Sequence, residues 1–147
     1  MIGDAAHVLL VEDNPNDVEL TLHAFKANHL TNEIRVVRDG AEALEFLFGP
    51  EGEATDLHVI LLDLKLPKVD GTEVLRQLKA HPRTRHIPVV VLTSSQEEAD
   101  LVETYGLGAN SYIVKPVDFE KFTEAIRLIG MYWLLTNQPP HGRPATQ

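Results

Sequence analysis

Four short apolar runs constrain this chain more than anything else in it. They are His7-Val8-Leu9-Leu10-Val11, Val59-Ile60-Leu61-Leu62, Val89-Val90-Val91-Leu92 and Tyr112-Ile113-Val114. Runs this short, rich in β-branched residues and apolar at successive positions, read as strands buried on both faces, which is the habit of parallel sheets. Each run is followed at once by side chains able to do chemistry: Glu12-Asp13, Asp63, Thr93, and Lys115 with Pro116. In an open α/β sheet the parallel strands end on one edge, and ligands bind there. Such a fold would gather three carboxylates, a hydroxyl and an ammonium at that edge, a set suited to a divalent cation and a phosphoryl group.

The segments between the runs carry helical signals. Asp13-Asn14-Pro15-Asn16 supplies an N-cap and a first-turn proline, after which Val18, Leu22 and Phe25 recur at helical spacing. Ile34–Val37 is a further short β-branched run. Gly40 precedes Ala43, Leu44, Leu47 and Phe48, a second amphipathic helix, and Phe48–Glu53 reads as a loop. Asp70-Gly71 opens a third helix bearing Val74, Leu75 and Leu78, which stops before Pro82. Gln96–Tyr105 is a fourth, with Gly106 placed to be its left-handed C-terminal residue. Asp118 caps a fifth, with Phe119, Phe122, Ile126 and Ile129 on one face. Five strand–helix units in alternation predict a parallel sheet with helices on both faces.

At 147 residues the chain is one domain with a full core. We expect it to run over residues 6–135, followed by a polar, proline-rich, disordered tail over 136–147. The net charge of −9 argues against an electrostatic nucleic-acid binder. There is no cysteine, hence no disulfide and no thiolate chemistry. The N-terminus lacks the regions of a signal peptide, and the longest apolar stretch, near Ile126–Leu135, is interrupted by Arg127 and too short to span a bilayer. These features predict a cytoplasmic protein without a membrane partner.

Taken singly, each polar strand end has an ordinary structural use. Glu12-Asp13 fits a solvated loop with a helix cap, Asp63 a cap, Thr93 a cap shared with Ser94 and Ser95, and Lys115 an exposed turn. Together they favour chemistry. If the first and third apolar runs are neighbours, their carboxylates converge, and such carboxylates need a counterion. An all-oxygen ligand set suits Mg²⁺, whereas the seven histidines show no paired spacing for zinc.

The motifs resemble those of response-regulator receiver domains of two-component signalling. The resemblance rests on Val8-Leu9-Leu10-Val11-Glu12-Asp13-Asn14, on Ile60-Leu61-Leu62-Asp63-Leu64-Lys65-Leu66-Pro67 with Asp70-Gly71, on Val91-Leu92-Thr93-Ser94, and on Gly108–Pro116. The intervals are similar too, 30 positions from Asp63 to Thr93 and 22 from Thr93 to Lys115. It implies a flavodoxin-like doubly wound α/β fold: a five-stranded parallel sheet in the order 2-1-3-4-5 with five helices. Asp63 would be the phosphoacceptor, with Thr93 and Lys115 holding the phosphoryl oxygens. Mg²⁺ would be bound by Glu12, Asp13, Asp63 and the backbone carbonyl of Lys65. Tyr112 would be a switch residue moving with Thr93, and Lys65 and Ser95 would tune dephosphorylation. The chain would be no enzyme beyond catalysing its own phosphorylation and dephosphorylation.

The added segment Gly49–Asp56, together with Arg38-Asp39-Gly40-Ala41-Glu42-Ala43-Leu44 and Tyr132-Trp133-Leu134-Leu135, is similar to the stand-alone receivers of phytochrome-type light-sensing histidine kinases, bacteriophytochromes among them. The fifth helix reads as extended through Leu135, with more apolar surface than one face needs, which predicts a homodimer through that helix. The signal would leave by protein contact. A phosphatase of the haloacid-dehalogenase type would need a second Asp two residues beyond Asp63, where Lys65 stands. The alternative is a phosphorylation-independent receiver-like binding module, which would tolerate loss of some of the five key residues; none is lost here.

Overall fold

The computed structural model of the protein describes residues 8–29, 33–49, 57–93, 106, 109, 111–114 and 119–129. The strands are β1 (Val8–Val11), β2 (Ile34–Val37), β3 (Val59–Asp63), β4 (Val89–Thr93) and β5 (Ser111–Val114). The described helices are α1 (Pro15–Ala27), α2 (Gly40–Phe48), α3 (Gly71–Ala80) and α4 (Phe119–Ile129). Thus α4 is the fifth helix of the sequence pattern; the helix expected over 96–105 and the extension beyond Ile129 lie outside the described residues.

All five strands form one parallel sheet in the order β2-β1-β3-β4-β5. This is the flavodoxin-like doubly wound α/β topology expected from the sequence. Strand alternation divides the core in two. Leu9, Val11, Ile60, Leu62, Val89 and Val91 face α2 and α3, where they meet Ala43, Leu47, Val74, Leu75 and Leu78. Val8, Leu10, Val59, Leu61, Val90 and Leu92 face α1 and α4, where they meet Val18, Ala24, Phe25, Phe122 and Ile126. Because both faces are covered, β1 and the first four residues of β3 are apolar throughout and fully buried.

The caps of α1 and α3 follow the sequence signals, and Asp39 adds one for α2. Asn14 Oδ1 accepts from Asn16 N (2.8 Å) and Asp17 N (3.2 Å) at the start of α1. Asp39 caps α2 and Asp70 caps α3. Three details differ from expectation. Thr21 is buried on α1 while Leu22 is 39% exposed, so the inward stripe is Val18-Thr21-Ala24-Phe25. Thr21 is accommodated because its hydroxyl donates to Asp17 O at 2.8 Å. Phe119, the first residue of α4, is also exposed. Gly106 has helical backbone instead of the left-handed conformation.

A candidate metal and phosphoacceptor site at the sheet edge

The parallel register puts the ends of β1 and β3 side by side. Val11 pairs with Leu62, so Glu12 and Asp13, which follow Val11, face Asp63, the last residue of β3. One carboxylate oxygen from each of Glu12, Asp13 and Asp63 lies within 4.8 Å of the others. Glu12 is fully buried and Asp63 nearly so, while Asp13 is exposed, so the cluster opens to solvent on the Asp13 side. Burying carboxylates this close is costly without cations or donors to offset the charge. Two backbone donors help. Asn14 N–H donates to Glu12 Oε2 (3.3 Å), and Lys65 N–H donates to Asp63 Oδ1 (3.2 Å). Three hard oxygen donors, joined by no imidazole or thiol among the described residues, fit a divalent cation of the Mg²⁺ or Mn²⁺ kind.

The loop after Asp63 is held from several sides. Leu64 N–H donates to Leu92 O (3.1 Å) and Gly71 N–H to Leu64 O (2.9 Å), which ties the loop to β4 and to the start of α3. Gly40 N–H donates to Pro67 O (3.3 Å), and any Cβ at Gly40 would overlap Val69. Lys68 adopts the left-handed region (φ 70°) and its ammonium lies 3.6 Å from Asp39 Oδ2. The loop that carries Lys65 is therefore pinned to the first turn of α2. Sequence reasoning missed this contact, since nothing local links Asp39 and Lys68.

Thr93 ends β4 and pairs with Val114, the last residue of β5; Asp63 pairs with Leu92. The backbone of Thr93 thus lies on the same edge as Asp63. Tyr112 is on β5 opposite Val91. Lys115, one residue past Val114, and Ser95 lie outside the described residues. The structure therefore brings together Glu12, Asp13, Asp63 and the Lys65 backbone, and puts the Thr93 backbone at the same edge.

A sequence model of the response regulator receiver domain matches residues 8–127. The chain belongs to the response regulator receiver domain family. The resemblance read from its motifs is met, and relatives of the receiver agree. The probable methanogenesis regulatory protein FilR2 of Methanothrix harundinacea is 46% identical over 134 residues, covering 90% of this chain and 86% of that protein. Response regulator Rcp1 of Synechocystis is 39% identical over 132 residues, covering 88% of this chain and 89% of that one. The solved Mn²⁺-bound form of Rcp1 superposes with a TM-score of 0.80 at 38% identity, over 92% of this chain and 99% of that one. The bacteriophytochrome response regulator AtBRR superposes with a TM-score of 0.71 at 52% identity, over 92% and 99% of the two chains. The receiver is thus related to regulators of phytochrome-linked signalling. Among its described residues no helix is long and apolar enough to cross a membrane.

Proposed function

We propose that this receiver is a stand-alone phosphoacceptor response regulator that takes a phosphoryl group from the phosphohistidine of a sensor histidine kinase onto Asp63. The observation that carries the reading is the cluster of Glu12, Asp13 and Asp63 within 4.8 Å at the carboxyl edge of the sheet. An Asp63 carboxylate oxygen attacks phosphorus, the P–N bond breaks with its electron pair returning to the imidazole, and an acyl phosphate is left on the protein. Attack by water later releases inorganic phosphate and restores the carboxylate. The Lys65 N–H, 3.2 Å from Oδ1, keeps the Asp63 carboxylate oriented. Positioning of this kind supplies much of the catalysis in phosphoryl transfer. Mg²⁺, held by Glu12, Asp13, Asp63 and the Lys65 carbonyl, supplies charge neutralisation for the incoming phosphoryl oxygens when bound. Mn²⁺ binding by the relative Rcp1 supports this choice of ion.

Thr93 and Lys115 take the remaining phosphoryl oxygens, and Tyr112 follows Thr93 as the switch. The signal leaves by protein contact, as a change between two states of the face made by the helix expected over 96–105, β5 and α4. The receiver domain spans 6–135, with 136–147 as a tail. The exposed Phe119 and Leu128 on α4 support a homodimer through that helix and its continuation. The kinship with AtBRR supports a phytochrome-type kinase as the partner and the cytoplasm as the place of encounter.

Intact mass after incubation with acetyl phosphate tests the central claim. We expect one added phosphate on the wild type with Mg²⁺, none when the metal is chelated, and none on Asp63→Asn. A folded Asp63→Asn variant that still takes the phosphate refutes it, and a wild type that never takes one, from acetyl phosphate or a kinase, favours the binding-module reading.

A further inference from the structure

The charge of this chain is unevenly spread. Residues 74–96 contain Arg76, Lys79, Arg83 and Arg85 and no Asp or Glu, so this stretch is +4 and the remainder of the chain −13. The cations are not used alike. Arg76 pairs with Glu73 on α3, and Lys79 is half-buried, with its ammonium donating to Arg85 O (3.1 Å) and Ile87 O (2.8 Å). Arg83, Arg85 and His86 stand exposed on the turn between α3 and β4, and no ion pair reaches them among the described residues.

The turn that presents them is firmly built. Thr84 and Ile87 are its buried anchors. Thr84 Oγ1 donates to Leu78 O (2.7 Å), the N–H groups of Thr84 and Arg85 both donate to His81 O (3.1 and 2.9 Å), and Ile87 N–H donates to Thr84 O (3.0 Å). Arg83 N–H donates to His81 Nδ1 (3.1 Å), and the His81 ring lies against Phe48 of α2 with centroids 5.1 Å apart. Two guanidinium groups beside an aromatic shoulder, on a backbone already ordered, are what a protein partner can exploit with little further entropy cost.

We propose that the α3–β4 turn is a docking surface for an acidic peptide segment of a partner protein, with Arg83 and Arg85 each pairing a carboxylate. Guanidinium forks match carboxylates bidentately. The charge of the rest of the molecule decides the kind of partner. A bilayer or a nucleic acid presents an extended anionic surface that the surrounding acidic protein would repel, whereas a short acidic segment need touch only the turn. The turn precedes Val89, at the end of the sheet away from Asp63: Asp63 pairs with Leu92, three residues and about 10 Å further along β4. Docking there leaves the phosphoacceptor edge open and does not depend on phosphotransfer.

The test is fluorescence anisotropy of a labelled hexaglutamate peptide against the full-length protein, with Arg83→Glu/Arg85→Glu and, as a control of equal net charge, Lys26→Glu/Arg38→Glu. We expect saturable binding to the wild type and the control, weakened about tenfold by the Arg83/Arg85 reversal and by raised salt. Circular dichroism verifies that the variants fold, and Arg83→Gln/Arg85→Gln gives a smaller loss in the same direction. Equal weakening by the control, or equal binding by all proteins, overturns the proposal. So does binding of phosphatidylglycerol vesicles that the peptide fails to displace, which assigns the turn to a lipid surface.

Discussion

Gly71→Ala should damage both stability and the candidate phosphoacceptor site, and the structure gives the size of the effect. Gly71 is the first residue of α3, is buried, and shows no left-handed backbone, so the constraint on it is space and not conformation. A Cβ there would sit 2.6 Å from Leu64 Cα, 2.8 Å from Leu64 O, and closer still to Asp63 O. All are backbone atoms that cannot swing aside, and carbon–oxygen contacts settle near 3.3–3.6 Å. The helix start must retreat by on the order of 1 Å, which stretches the Gly71 N–H to Leu64 O bond of 2.9 Å. Overpacking costs about 1–3 kcal/mol, and loss of that hydrogen bond about 1 kcal/mol. The better helix propensity of alanine returns up to about 1 kcal/mol. The net loss is about 1–3 kcal/mol, or roughly 3–10 °C in Tm for a chain of this size. Calorimetry measures the Tm, and titration calorimetry should show weaker Mg²⁺ binding, because the displaced atoms belong to Asp63 and its neighbour. A Gly71→Ala protein as stable as the wild type, with the same Mg²⁺ affinity, would refute the reasoning.

Two further predictions concern other parts of the receiver. Thr84→Val keeps the shape of a fully buried side chain but removes the 2.7 Å hydrogen bond to Leu78 O. It should cost about 1–3 kcal/mol, and an unchanged Tm would contradict the bracing role given to Thr84. Glu73 is held below its ordinary value of 4.5 by hydrogen bonds from Arg76 and Gln77. Since its folded value is depressed, the unfolded chain binds more protons below pH 4.5, and the stabilisation is present above that pH and lost as pH falls through the folded value. The Tm difference between wild type and Glu73→Gln should therefore be visible at pH 7 and shrink as the pH falls below 4.5; a difference independent of pH would remove the electrostatic explanation.

The candidate metal site was legible as a list before it was legible as a place. Apolar runs ending in Glu12-Asp13, Asp63 and Thr93 mark strand ends because only a strand buried on both faces keeps every position apolar. The helix caps Asn14 and Asp70 follow from local hydrogen bonding and lie where the sequence signals put them, while the Asp39 cap of α2 came from the structure. Helix faces were read less well. Leu22 looked inward by spacing, yet Thr21 takes the buried position, because a polar side chain that bonds back to its own helix can enter a core. Gly71 was read as a helix opener, but its small size matters for the close passage of the β3 end. The sequence by itself determined the strands, their caps and the residue types at their ends, since these depend on neighbours along the chain. Only the tertiary structure decided that Glu12 is buried against Asp63 and that Lys68 meets Asp39. Those contacts join residues far apart in the chain, and their distances follow from strand register and loop packing, which no local pattern encodes.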